Sequence, residues 1–191
     1  MGLHITRPRK LPQRLTREEA AALLAQPSRR YPTGVRNRAV LRVLYRGGLR
    51  CSEAIDLRPR DVVLARSELR VNAGKGSKDR VVWIDAVTVE WLDRWRVRRP
   101  KSDYFFCTLA GGRLLDSYVR KMTARYGRKA GVEIRCHPHL LRHTFASELL
   151  EDGYSLLEAQ RLLGHERLET TAIYLHLSDA RLRERLIERP G

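Results

Sequence analysis

Acidic residues are scarce in this chain: 22 Asp plus Glu stand against 38 Lys plus Arg, a formal net charge of +16 over 191 residues. Such an imbalance points to a polyanionic partner, and nucleic acid comes first because its phosphates carry the matching charge. Binding that weakens steeply as salt rises is the expected result of a filter or gel titration, and affinity flat between low and moderate salt would contradict it. Cysteine is also sparse. Cys51, Cys107 and Cys136 are odd in number and scattered, which excludes a disulfide framework and fits reduced thiols with structural roles. No long apolar run and no basic amphipathic helix with an aromatic face occurs, so neither a membrane span nor a membrane surface is the expected partner. The N-terminal MGLHITRPRK lacks the apolar core of a secretory signal, and the expected compartment is the cytoplasm, in association with the nucleoid. Internal repeats and low-complexity tracts are missing too. What remains is 42% apolar content, enough for one well-buried domain at this length.

Residues 1–14 hold Arg7, Arg9, Lys10 and Arg14 with two prolines and no acid, the pattern of an extended basic arm able to lie along DNA. Folding is expected to begin at Thr16, where Thr16-Arg17-Glu18-Glu19 fits a capping box ahead of a helix to about residue 25. Helical periodicity places Val40, Val43 and Leu44 on one face of residues 36–45. Gly47-Gly48 then breaks that helix before a short one at 52–57, which leaves Arg50 at a helix junction. Between 61 and 84 the pattern turns β-like: 68–72 and 80–84 flank a glycine-bearing loop with Lys75 near its tip, a small hairpin or three-stranded sheet. Helices are predicted at 87–96, from a cap at Asp116 to about 129, and at 138–151, 155–162, 169–175 and 179–188, with a short strand at 104–106. The fold class is mainly α with a small antiparallel sheet.

The chemistry gathers in a few donors and one phenol: Arg50, Lys75, His139, Arg142, His165 and Tyr174. Guanidiniums grip a phosphate through paired donors, an ammonium and imidazoles carry protons, and a tyrosine oxygen can attack phosphorus to form an ester. Five of the six histidines, His137, His139, His143, His165 and His176, fall in the last third. His139 and Arg142, three apart, share a helical face and can address one phosphate. His139 and His143 also have the spacing of a two-histidine zinc helix, but no glutamate follows His139 and an arginine between them would repel a cation; the metal set is therefore none. His143 reads as a packing or hydrogen-bonding residue. Leu163-Gly164-His165 ends a helix at glycine, and one turn plus a short helix can bring His165 to Tyr174.

Four motifs in order carry a resemblance: Gly48-Leu49-Arg50-Cys51-Ser52-Glu53, Gly74-Lys75-Gly76-Ser77-Lys78-Asp79-Arg80, Pro138-His139-Leu140-Leu141-Arg142-His143, and Leu163-Gly164-His165 with Thr170-Thr171-Ala172-Ile173-Tyr174. Over residues 11–187 the chain resembles the catalytic domain of the tyrosine recombinase (phage integrase) family, closest to its Xer-like members. The resemblance implies that Tyr174 attacks a scissile phosphodiester to give a 3′-phosphotyrosine and a free 5′-hydroxyl, with neither metal nor ATP nor other cofactor. Arg50 and Arg142 would hold the non-bridging oxygens, and Lys75 would protonate the leaving oxygen with Lys78 as its local rival. His139 would act as general acid and base, and His165 as a second donor to phosphate. Glu53 would orient a neighbouring donor or, on the alternative reading, form a plain surface ion pair. Lys78 and Arg80 join Arg7, Arg9, Lys10 and Arg14 as DNA-binding residues.

Family members usually carry an N-terminal core-binding domain that closes around the duplex. Here 1–14 is expected to be an arm or linker and 15–191 the catalytic domain, with that clamp absent or replaced by an accessory protein. Leu182, Leu186 and Ile187 line one face of the tail, which caps its own core or docks on another protomer; double-stranded DNA and a homotetramer assembled on it are the expected partners. Two rivals stay open: a helix-turn-helix regulator built from 155–163 and 169–175, and a relaxing topoisomerase of type IB chemistry.

Overall fold

The computed structural model describes residues 13–72 and 79–164. Arg7, Arg9, Lys10, Lys75, Lys78, His165 and Tyr174, and the helices expected at 169–175 and 179–188, lie outside these residues. Among the described residues seven α-helices and three short strands follow one another: α1 Arg17–Ala25, α2 Pro32–Arg46, α3 Cys51–Asp56, β1 Val62–Val63, β2 Glu68–Val71, β3 Arg80–Trp83, α4 Ala86–Arg98, α5 Asp116–Lys129, α6 Pro138–Glu151 and α7 Leu156–Leu163. Among the described residues no helix is long and apolar enough to cross a membrane.

Local chemistry sets most boundaries. Thr16 and Glu19 form the expected capping box at α1, and Ser155 and Glu158 form another at α7. α2 starts four residues before the predicted 36, because Pro32 occupies its first turn, where a missing N–H costs nothing. Val35, Ala39, Val40, Leu41, Val43 and Leu44 are fully buried, so this helix is the centre of the core rather than a one-faced surface helix. It packs chiefly on α4 and α6.

Two expectations fail. Asp116 is not the cap of α5; Leu115 holds that position, and Asp116, one residue inside, pairs with Arg120 one turn on. Both assignments use the same carboxylate, and the i,i+4 guanidinium outcompetes the backbone N–H groups. No strand forms at 104–106. Phe105 and Phe106 are both buried with rings edge to face at 5.0 Å, whereas successive residues of a strand point to opposite faces. The segment is tied irregularly instead: Phe105 N–H donates to the Leu57 carbonyl at 2.7 Å, and the buried Trp95 indole donates to the Phe105 carbonyl at 2.8 Å.

The sheet is antiparallel in the order β1-β2-β3, with Val71 opposite Arg80 and Glu68 opposite Trp83. Leu69, Val71 and Val82 face the core while Val81 and Trp83 face outward, the alternation expected of a sheet with one covered face. A second, smaller apolar cluster, Ala146, Leu149, Leu150, Ala159 and Leu163, joins α6 to α7, and Phe145 packs against both clusters. All three cysteines are free thiols.

Candidate active site

The turn after α2 delivers the first arginine. Gly48 has φ +59° and a Cβ there would lie 2.6 Å from the Phe145 ring, so only glycine lets the chain reverse this closely over α6. Arg50 follows as the N-cap of α3, at the junction the sequence predicted. Its guanidinium donates to Glu53 Oε1 at 2.8 Å and to the Gly164 carbonyl at 3.3 Å, and its backbone N–H donates to Glu53 Oε2 at 2.7 Å.

α6 delivers the others. Pro138 sits in its first turn and His137 caps it, Nδ1 accepting the Leu140 N–H at 3.0 Å. His139 and Arg142 therefore rise on one face, and with Arg50 they line a single cleft of about 590 Å³. The two arginines differ in setting: the Arg50 side chain is 40% exposed and that of Arg142 4%. Arg142 lies beneath, donating to the Gly48 carbonyl at 2.5 Å and the Leu163 carbonyl at 2.7 Å. One side chain thus ties the turn before α3 to the end of α7, whose carbonyls form the negative end of a helix dipole.

Glu53 is no surface ion pair. Its side chain is 8% exposed and receives both arms of Arg80, at 2.9 and 2.8 Å, besides Arg50. Burial by itself would raise its carboxyl, but hydrogen bonds and charge from Arg80, the Arg50 N–H and the Arg142 charge outweigh that and hold it at about 2. A depressed folded pKa adds stability that is complete above the unfolded value of 4.5 and lost as pH falls toward 2. Denaturant unfolding should accordingly show stability dropping by about 3 kcal/mol more in the wild type than in Glu53→Gln across that acid window; parallel curves would mean that the carboxylate is not held in this way.

Arg80 and Arg14, expected on DNA, are turned to the protein: Arg80 to Glu53 and Arg14 to Glu151 at the far end of α6. His143 packs edge to face on His139, centroids 4.2 Å apart. Among the described residues no group of three or more His, Cys, Asp or Glu is arranged to hold a metal. The sequence reading missed Arg120, Arg135 and His137, which line the same cleft. His137 was legible as a residue ahead of a first-turn proline; Arg135, in a coil, carried no local signal.

Burial first, then the charges of Arg142, His137 and Arg50, lowers the His139 pKa below 6.5; burial with His139 and Arg142 pushes His143 down to about 4. A neutral His139 can accept a proton near neutrality. If it is the base, the acid limb of kcat/KM for strand cleavage should fall below pH 6.5, because activity is lost only as pH drops through the lowered value. A limb at or above 6.5 in a cleavage-rate profile would exclude His139 from that task.

The sequence model of the Phage integrase family matches residues 13–181. Tyrosine recombinase XerC of Serratia marcescens is 42% identical over 173 residues, covering 88% of this chain and 56% of that protein; XerC of Vibrio vulnificus is 39% identical over 181 residues, 91% and 57%. The chain spans a little over half the length of these relatives. The crystal structure of XerA recombinase matches with TM-score 0.81 at 33% identity over 98% of this chain and 67% of that one. XerH site-specific recombinase, solved on a palindromic difH substrate as a post-cleavage complex, matches with TM-score 0.78 at 33% identity over 92% and 52%. With the family pattern spanning most of its length, the chain belongs to the phage integrase, or tyrosine recombinase, family.

Proposed function

We propose that this chain is the catalytic domain of a site-specific DNA recombinase that cuts and rejoins strands through a 3′-phosphotyrosine at Tyr174. One observation carries the reading: Arg50, Arg142 and His139, from two separate elements, line one open basic cleft. A phosphodiester there would receive paired donors from Arg50 on the open side and charge from Arg142 beneath. The Tyr174 oxygen attacks phosphorus, its proton passing to His139; the bond to O5′ breaks, and Lys75 gives the leaving oxygen its proton, with His165 donating to a non-bridging oxygen. One phosphodiester is exchanged for another, so the balance needs neither ATP nor metal, and the reverse step reseals the strand. XerH on its difH substrate supports duplex DNA as the partner.

Within this reading residues 15–191 form the catalytic domain and 1–14 a basic arm. Arg7, Arg9, Lys10 and Lys78 contact flanking phosphates. The active form is a homotetramer assembled on DNA near the nucleoid, with a further domain or an accessory protein closing the other side of the duplex. A nicked suicide duplex tests the reaction: cleavage should trap a protease-sensitive adduct joined to the 3′ end of the cut strand. A regulator gives no adduct. A relaxing enzyme gives the adduct and changes supercoiling but makes no recombinants from paired sites.

A further inference from the structure

Glu53 poses a problem for a phosphate site, because a buried carboxylate beside two arginines repels the incoming anion and competes with it for their donors. An ionised carboxylate offers about four lone-pair directions. Four hydrogen bonds fill them: the Arg50 N–H and Nη1, at 2.7 and 2.8 Å, and Arg80 Nη1 and Nη2, at 2.9 and 2.8 Å. Arg142 Nη1, 3.8 Å from Glu53 Oε2, stands outside hydrogen-bond range.

Arg80 is well placed for this. It opens β3, the first strand after residues 73–78, and its side chain is 9% exposed, so it faces Glu53 rather than solvent. The Gly164 backbone rests directly on it: a Cβ at Gly164 would lie 2.7 Å from Arg80 Cδ and 2.8 Å from Nε, and Gly164 has φ +66°. The Gly164 carbonyl in turn accepts from Arg50. One guanidinium therefore touches the root of the strand that follows Lys75, the acid beneath Arg50, and the residue before His165.

We infer that Arg80 is a positioning residue for phosphate binding and not a DNA contact: by saturating and neutralising Glu53, it keeps Arg142 from closing onto that carboxylate and limits Arg50 to the single guanidinium contact it already makes. The three arginines and one glutamate carry net charge +2, which offsets the charge of a phosphoryl group in transfer; without Arg80 the set falls to +1 and two acceptor sites open toward Arg50 and Arg142. The inference deepens the recombinase reading and rests on it for its role in cleavage.

The test is a double-mutant cycle on the full chain, read two ways. Inorganic phosphate is titrated calorimetrically, counting the component that Arg50→Ala removes, and cleavage of a suicide duplex is timed at saturating DNA. Arg80→Met should weaken phosphate and slow cleavage, each on the order of 10-fold or more, with duplex affinity nearly unchanged. Arg80→Met with Glu53→Gln should recover both to within about threefold of the wild type, because the offending charge leaves with its partner. Arg80→Lys, a charge without the paired donors, should fall between. A double variant as impaired as Arg80→Met alone, while melting like the wild type, would overturn the inference. So would an Arg80→Met that loses duplex affinity with phosphate binding intact. Should the wild-type chain form no adduct, the recombinase reading fails by itself, and the phosphate cycle still decides the role of Arg80.

Discussion

Tyr174→Phe is expected to form no covalent adduct with DNA while binding duplex within about twofold of the wild-type chain. The substitution removes one oxygen and leaves the ring, so shape and charge stay as they were and only the nucleophile is lost. No second group can take over in the proposed scheme, since the intermediate is an ester of that oxygen. A denaturing gel of a trapped suicide duplex, with and without protease, reads the result directly. Persistence of the adduct would move the nucleophile elsewhere. Tyr154, an exposed phenol at the edge of α7, would then be the first residue to map in the DNA-linked peptide.

Arg142→Ala should lower cleavage by on the order of 10²–10³-fold, the scale of losing one donor to a developing anion in a preorganised site. The same change should also cost about 2 kcal/mol or more of folding stability, because the Gly48 and Leu163 carbonyls lose their buried donor. Arg142→Lys separates the two effects. It keeps the charge but cannot bridge both carbonyls and a phosphate with one compact ammonium, so cleavage should stay well below wild type while stability recovers in part. Paired melting curves and single-turnover rates check this. Near-wild-type cleavage in either variant would remove Arg142 from the reaction.

Much of this was legible before any coordinates. The capping box at Thr16, the glycine break at Gly47-Gly48 and the helices at 138–151 and 155–162 follow from local hydrogen bonding and periodicity, and the structure contains each. So does the pairing of His139 with Arg142 on one face, which needs only the helix repeat. The misses share a cause, which is long-range contact. Residues 104–106 have the composition of a strand, yet the Trp95 indole and Leu57 carbonyl dictate their path. Asp116 has the composition of a cap but takes Arg120. Arg80 belongs to a basic loop motif, and nothing local says that it turns 27 positions back to Glu53. Charge alone marks a residue as ready for DNA; burial decides whether it is already spoken for.

α2 offers almost no outward face, and only Gly47-Gly48-Leu49 separates its last residue, Arg46, from Arg50. Its buried amides meet solvent only when the interior opens, so deuterium uptake there should be the slowest among the described residues. The first arginine thus follows directly on a helix that is buried almost all round. A fixed donor does not have to reorganise as negative charge grows opposite it.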